Sequence, residues 1–444
     1  MTADLLSQMT DAIDCIRVAN PVGRVDAVVG GTVRISGLPQ EAGLGDRVEF
    51  KRNSIAGEVV RLEHDKVYVL VDGPTEGIAI KDIVSLLPPP SFSPSETWIG
   101  RVIDPDGRPM DGKILLASNS TRSVQASPPA PHKRRGFGDR IETGIAVFNT
   151  ILPIVRGQRI GLFAGSGVGK STLIADLSRG IAADVIVIAL VGERGREVRH
   201  FVEEVLGPEG MARAVVVAAT SDRAPQTRRR CAWAAMAVAE YFRDQGLQVM
   251  LFVDSVTRFC EAHREIAVAG GEAAALRGYP ASTGPAIAAL CERAGPGEGE
   301  MGDITAVFSV LVAGSDMEEP VADMLRGVLD GHVVLDRAIA ERGRFPAVDV
   351  LRSVSRSLPD AANRIENAAI AQTRSLLGTY DKAELMIQAG LYTTGSDKQT
   401  DAAIACQPAI ERFLSLKDNR GTGAHFNSLR QALASTNGQR DDQI

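Results

Sequence analysis

The stretch GLFAGSGVGKST, Gly161 to Thr172, constrains this chain more than any other. An apolar run, Ile160 to Phe163, enters a compact turn, and Lys170-Ser171-Thr172 opens a helix-like segment. Strand, glycine-rich turn and helix in that order form a phosphate-gripping loop. The turn Gly165-Ser166-Gly167-Val168-Gly169 lets backbone N–H groups approach phosphate oxygens closely. A helix starting near Lys170 aims its positive dipole end at the same charge. Lys170 is placed to reach the β- and γ-phosphates, and the Ser171 hydroxyl to ligate magnesium, with Thr172 beside it. The strict pattern begins with Gly, and Ala164 stands there instead. Ala is compact enough, provided that position keeps an ordinary backbone conformation.

The pattern on either side of the loop differs. Residues 21 to about 93 are short β-type runs separated by Gly and Pro, among them Thr32 to Ile35, Arg47 to Phe50 and Lys66 to Val71. That spacing predicts a small β-barrel or sandwich. The Pro/Ser stretch from Leu86 to Glu96 reads as a linker. From 94 to 358 the order becomes strand then helix, with strands expected at 159–164, 184–191, 214–219, 249–254 and 305–312. Those runs are apolar on both faces, as buried parallel strands are, which predicts an α/β sheet covered on both sides. Residues 359–444 read as helical, with helices expected over 360–377, 381–389, 400–416 and 424–434 and a fraying polar tail. Near the N-terminus, Leu5, Leu6, Met9, Ile13 and Ile16 share one helical stripe. Such a stripe suits either a helix docked on its own domain or one that binds a partner.

Composition narrows the function classes. A net charge of −6 argues against a general nucleic-acid-coating surface. Five scattered cysteines form no CxxC pair, and six histidines show no metal-ligand spacing. No apolar run is long enough to span a bilayer, and the N-terminus lacks a basic region followed by an apolar core. Arg228-Arg229-Arg230 has no aromatic ladder beside it and reads as a solvated or subunit-interface face. The Gly-rich run Ala294 to Asp303 reads as a flexible loop, either facing a pore or simply at the surface.

Carboxylates complete the site's chemistry. The run Val249 to Val253 ends in Asp254, where magnesium is coordinated in such sheets. Glu193, in VGERGREV, leaves another buried strand beside the expected γ-phosphate and is placed to orient an attacking water. Arg194 can offset phosphate charge. The competing reading makes Glu193, Arg194, Arg196 and Glu197 a salt-bridged helix start.

The segments GQRIGLFAGSGVGKST, VGERGREV, MLFVDSVTRF, RGYPAST, RFPAVDVLRSVSR and AEYFRD together resemble the rotary ATP synthase superfamily. The loop wording is most similar to the flagellar and type III secretion export ATPases, and within these to the flagellar branch. The resemblance covers about residues 20 to 415 and implies a RecA-like P-loop core using ATP and Mg²⁺. It implies that Glu193 polarises water, that Glu197 and Asp254 act on magnesium with Ser171, and that Arg194 contacts phosphate. Phe345 falls where the family sets an aromatic ring against adenine, and Arg356 matches an arginine finger that reaches a neighbouring subunit's site. Read without the family, Arg356 is a surface arginine. The expected assembly is a homohexamer at the cytoplasmic face of the membrane, held there through partners. Those partners are a stator-like regulator on residues 1–20, a coiled-coil stalk in the pore, export chaperones and the export gate, with no nucleic acid. A rotary proton-pump subunit, a non-catalytic nucleotide-binding subunit and an RNA translocase are the competing classes. Having both Glu193 and Arg356 on one chain favours the homo-oligomeric exporter.

Overall fold

The computed structural model describes residues 20–88, 91–116, 118, 121–312 and 317–434. The N-terminal apolar stripe, Cys15 and the polar tail lie outside them. The described chain divides into two compact units.

The first unit holds residues up to 90 with 223–227 and 262–280. Among its described residues six antiparallel strands close a barrel: β1 (Val22–Val29), β2 (Thr32–Ser36), β3 (Arg47–Phe50), β4 (Ile55–Leu62), β5 (Lys66–Val71) and β6 (Ile83–Leu86), in the order β1-β2-β5-β4-β3-β6. Alternation drives this closure. Val33 and Ile35, Val48 and Phe50, and Val67, Val69 and Val71 all point inward and are buried. Gln226 ties the 223–227 segment to the barrel by donating from Nε2 to the Leu70 carbonyl at 2.7 Å.

The second unit holds 91–222, 228–261 and the rest of the chain from 281. Its sheet has nine strands among the described residues. Eight form the path: β7 (Arg101–Ile103), β8 (Arg159–Ala164), β9 (Val185–Glu193), β10 (Ala214–Thr220), β11 (Val249–Asp254), β12 (Asp303–Leu311), β13 (Gly331–Leu335) and β14 (Val348–Ser355). Their order is β14-β13-β8-β12-β11-β9-β10-β7, and a two-residue strand, Gly295–Pro296, pairs with β12. All neighbours on the path are parallel except β13 and β14. The five expected strands are present. Their apolar residues on both faces are buried, as expected of a sheet covered on both sides.

Three long helices end the unit, α4 (Arg364–Gln388), α5 (Lys398–Leu414) and α6 (Thr422–Ala434), numbered after α1 (Lys170–Gly180), α2 (Gly195–His200) and α3 (Pro225–Asp244). Asn363 and Glu366 form a capping box that fixes the start of α4. The two helices expected over 360–377 and 381–389 are one. The helix runs through Gly378 because Ala369, Ile370, Thr373, Leu377 and Ala383 are buried along a single stripe. No helix among the described residues is long and apolar enough to cross a membrane.

Three local expectations change. The stretch read as a linker contains a buried anchor, since Phe92 stacks on Trp98 with ring centroids 5.6 Å apart. The arginine run is not solvated, because Arg229 and Arg230 are buried. Arg229 lies over the Trp233 ring, and Arg230 pairs with Asp106 at 3.1 Å. Nor is 294–303 a free loop. A Cβ on Gly302 would sit 1.8 Å from the Leu247 carbonyl oxygen, so that glycine serves close packing rather than flexibility.

Candidate functional site

The site lies at the carboxyl ends of β8, β9 and β11. Parallel pairing sets these ends level: Leu190 on β9 stands opposite Asp254 on β11, and β12 bridges β11 to β8. This is the crevice where open α/β sheets bind ligands.

The loop after Ala164 reaches α1 through two left-handed glycines, Gly167 at φ 78° and Gly169 at φ 87°. Gly169 is the N-cap of α1 and has no side chain to satisfy the first N–H groups. Those donors remain available to an anion. A Cβ on Gly167 would meet nothing within 4 Å, and one on Gly165 would meet only the Val312 carbonyl oxygen at 3.7 Å. Ser166, Gly167, Ser171 and Thr172 are exposed, and Val168 packs inward at 2 % exposure. An open cradle of N–H groups at a helix start fits a polyphosphate.

Lys170 forms an ion pair with Asp254, whose carboxylate is almost fully buried. Ser309 on β12 donates to the same Asp254 oxygen, Oδ1, at 2.7 Å. Thr257 Oγ1 accepts from the Leu311 amide at 2.9 Å and fastens the turn after β11 to β12. Thus Oδ2 is left for other partners. Glu193 ends β9 beside this pair. Burial pushes its carboxyl up to about 7, the negative charge of Asp254 adds to that, and the Lys170 charge opposes it. Glu197, one turn into α2, shares a hydrogen bond with Glu193. Arg194, largely exposed, lies 3.4 Å from Glu197. No group of three or more His, Cys, Asp or Glu among the described residues forms a metal cage. Magnesium suits such a place, because one or two carboxylates with substrate phosphates and waters hold it.

Spacing alone does not single out Arg258. Its guanidinium pairs with Glu261 at 2.8 Å, and the charges of Glu193 and Glu197 help hold it protonated. It packs against Gly192, where a Cβ would approach Arg258 Cβ to 3.4 Å. The available signal is its place four residues after Asp254, on the first turn of the helix leaving β11.

Two expected residues flank β14, Phe345 before its first residue and Arg356 just after its last. The Phe345 ring, half exposed, lies against the loop: a Cβ on Gly169 would stand 3.3 Å from its Cδ1 and Cε1. Arg356 lies at the other end. Its amide donates to the Asp330 carbonyl at 3.0 Å, the Asp330 amide donates to the Arg159 carbonyl at 2.8 Å, and Arg159 begins β8. The six residues of β8 separate that level from the loop by about 17 Å. Arg356 Nη2 donates to the Arg326 carbonyl at 3.3 Å, and the side chain is exposed. The structure therefore gathers Lys170, Ser171, Glu193, Glu197, Asp254 and Phe345 around one crevice and leaves Arg356 outside it.

This fold and this crevice define a P-loop nucleotide-binding ATPase core. Residues 144–355 match the ATP synthase alpha/beta family nucleotide-binding domain, and 363–435 match the T3SS EscN ATPase C-terminal domain. The chain is 41% identical to a flagellum-specific ATP synthase of Caulobacter vibrioides, over 96% of this chain and 98% of that protein. It is 40% identical to a type 3 secretion system ATPase of Xanthomonas euvesicatoria, over 90% of this chain and 91% of that one. The assembled ATPase EscN of the enteropathogenic E. coli type III secretion system superposes with a TM-score of 0.87 at 36% identity, covering 93% of this chain and all of that one. The chain belongs to the family of flagellar and type III secretion ATPases.

Proposed function

We propose that this chain hydrolyses ATP for the flagellar protein export apparatus, as a homohexamer in which Arg356 completes the site of the adjacent subunit. One observation carries the assembly: β14 brings Phe345 to the chain's own loop and Arg356 to the opposite end of the sheet. A finger that far from its own loop has work only at another copy's site. Relatives support the assembled state, since EscN is described as an assembled ATPase and also in complex with its central stalk EscO.

In this reading Lys170 leaves Asp254 for the β- and γ-phosphates, and Ser171 with the waters around Asp254 and Glu197 holds magnesium. Bound magnesium supplies charge neutralisation to the transferring phosphoryl group. Glu193 as carboxylate accepts a hydrogen bond from the attacking water and aligns it. Its raised proton affinity suits a base working near neutral pH. Arg194 and Arg258 offset phosphate charge, and Phe345 offers a flat apolar face to the base. Arg356 of the neighbour adds positive charge as the transition state forms, a contribution worth about 10³–10⁵ in rate.

The chain works in the cytoplasm and is held at the membrane through partners: a regulator on residues 1–20, a coiled-coil stalk in the central pore, export chaperones and the export gate. Specific activity should rise steeply with protein concentration; a flat dependence contradicts activation by assembly. Injectisome secretion is the second reading, favoured by the near-equal identity to the type 3 secretion relative. Deleting the chain's gene separates the two by abolishing either flagellar filaments or effector secretion.

A further inference from the structure

The residues just before Phe345 grip the C-terminal helices. Arg342 Nη1 donates to Glu384 Oε1 on α4 at 2.9 Å. Arg344 Nε stands 2.7 Å from Glu411 Oε2 on α5, off the line a hydrogen bond takes, so the attraction is charge with charge. The Arg344 side chain is only 9% exposed. Its Nη2 donates to the Val348 carbonyl at 2.9 Å, and its Nη1 makes no hydrogen bond. Gln407 braces Glu411 from one turn earlier on α5, donating to Oε1 at 3.1 Å.

A cavity of about 640 Å³ lies between this segment and α4 and α5, lined also by Asp336, Asp349, Leu351, Tyr380 and Arg412. A buried arginine with an unmet donor is an expensive way to fill space. An apolar side chain of similar volume would pack there at lower cost. What the pair supplies is position: it ties a rigid helix to the residue next to Phe345, across a space in which the helices have room to shift.

We propose that the Arg344–Glu411 pair, seconded by Arg342–Glu384, is a positioning device through which the C-terminal helices set the Phe345 ring against Gly169 and so set affinity for the nucleotide base. This rests on the reading of Phe345 as the base wall. Arg344 and Glu411 are positioning residues and touch no phosphate. By reciprocity, a partner that loads α4 or α5 changes base affinity, and base binding changes its affinity by the same factor.

Calorimetric titration of the full chain with ADP and with pyrophosphate tests this. Glu411→Gln, isosteric and on a partly exposed side chain, should weaken ADP binding about 5-fold or more and leave pyrophosphate binding unchanged. Arg344→Met should do the same, and the double variant should be no weaker than Arg344→Met alone. If Arg344→Met fails to fold, Glu411→Gln decides by itself. Unchanged ADP binding in Glu411→Gln, equal losses of ADP and pyrophosphate, or additive losses would overturn the link. Phe345→Ala is the control. If it leaves ADP binding intact, the base-wall reading fails first, and that result is distinct from failure of the ion-pair link.

Discussion

Phe345 and Arg356 stand at the two ends of β14, the first against the loop at Gly169 and the second level with Arg159 at the far end of β8. One strand thus presents an aromatic wall to the chain's own crevice and a guanidinium to the opposite side. The span between those ends is fixed by pairing with β13, which itself lies parallel to β8. An arginine side chain cannot cover it. In the proposed assembly, this spacing is what divides a site between copies.

Glu193→Gln should lose turnover by about 10²–10⁴ while ATP binding, measured by titration, persists. Retained turnover would remove the water-orienting role.

The same carboxyl makes a pH prediction. Wild-type activity should rise with pH through about 7 as Glu193 ionises. Its folded value lies above the 4.5 of an ordinary exposed glutamate, so the folded chain binds the extra proton between those limits. That stabilisation is complete below 4.5 and is lost as pH rises through about 7. Glu193→Gln should flatten this fall in thermal midpoint; an identical fall in the variant would contradict the assignment.

Lys170→Ala should destabilise the nucleotide-free protein as well as end catalysis. It leaves the carboxylate of Asp254, at 4 % exposure, with the Ser309 hydroxyl as its donor. Breaking a buried pair from one side costs about 3 kcal/mol. Lys170→Ala combined with Asp254→Asn should recover part of that loss. Chemical denaturation of the three variants checks both statements.

Gly167→Ala and Gly169→Ala separate backbone strain from crowding. Both positions have positive φ, so each substitution should cost about 1–2 kcal/mol. Gly167 faces open space, whereas a methyl at Gly169 must displace the Phe345 ring. ADP affinity should therefore fall further for Gly169→Ala relative to pyrophosphate affinity. Equal effects on the two ligands would argue against the ring's place at the base.

Much of the central sheet was legible because β8, β9, β10, β11 and β12 are apolar on both faces, and Glu193 and Asp254 announce themselves as acids ending such runs. The two strands on one side of it, β13 and β14, were not. β13 is short, and β14 breaks its alternation where the register slips between His332 and Val334. The arginine run misled because charge suggests solvent, while Trp233, one turn along the same helix, and Asp106, 124 residues away in sequence, give Arg229 and Arg230 half-buried partners. Arg258 and the Arg344–Glu411 tie depend on tertiary proximity that periodicity does not carry.

The most direct measurement mixes two inactive proteins. Lys170→Ala keeps Arg356 and loses the loop lysine; Arg356→Ala keeps the loop and loses the finger. Assembled together from equal amounts, intact loop meets intact finger at about one interface in four. The account predicts that the mixture regains ATPase activity to about that share of wild type. A mixture as inactive as its two components would contradict a site shared between copies.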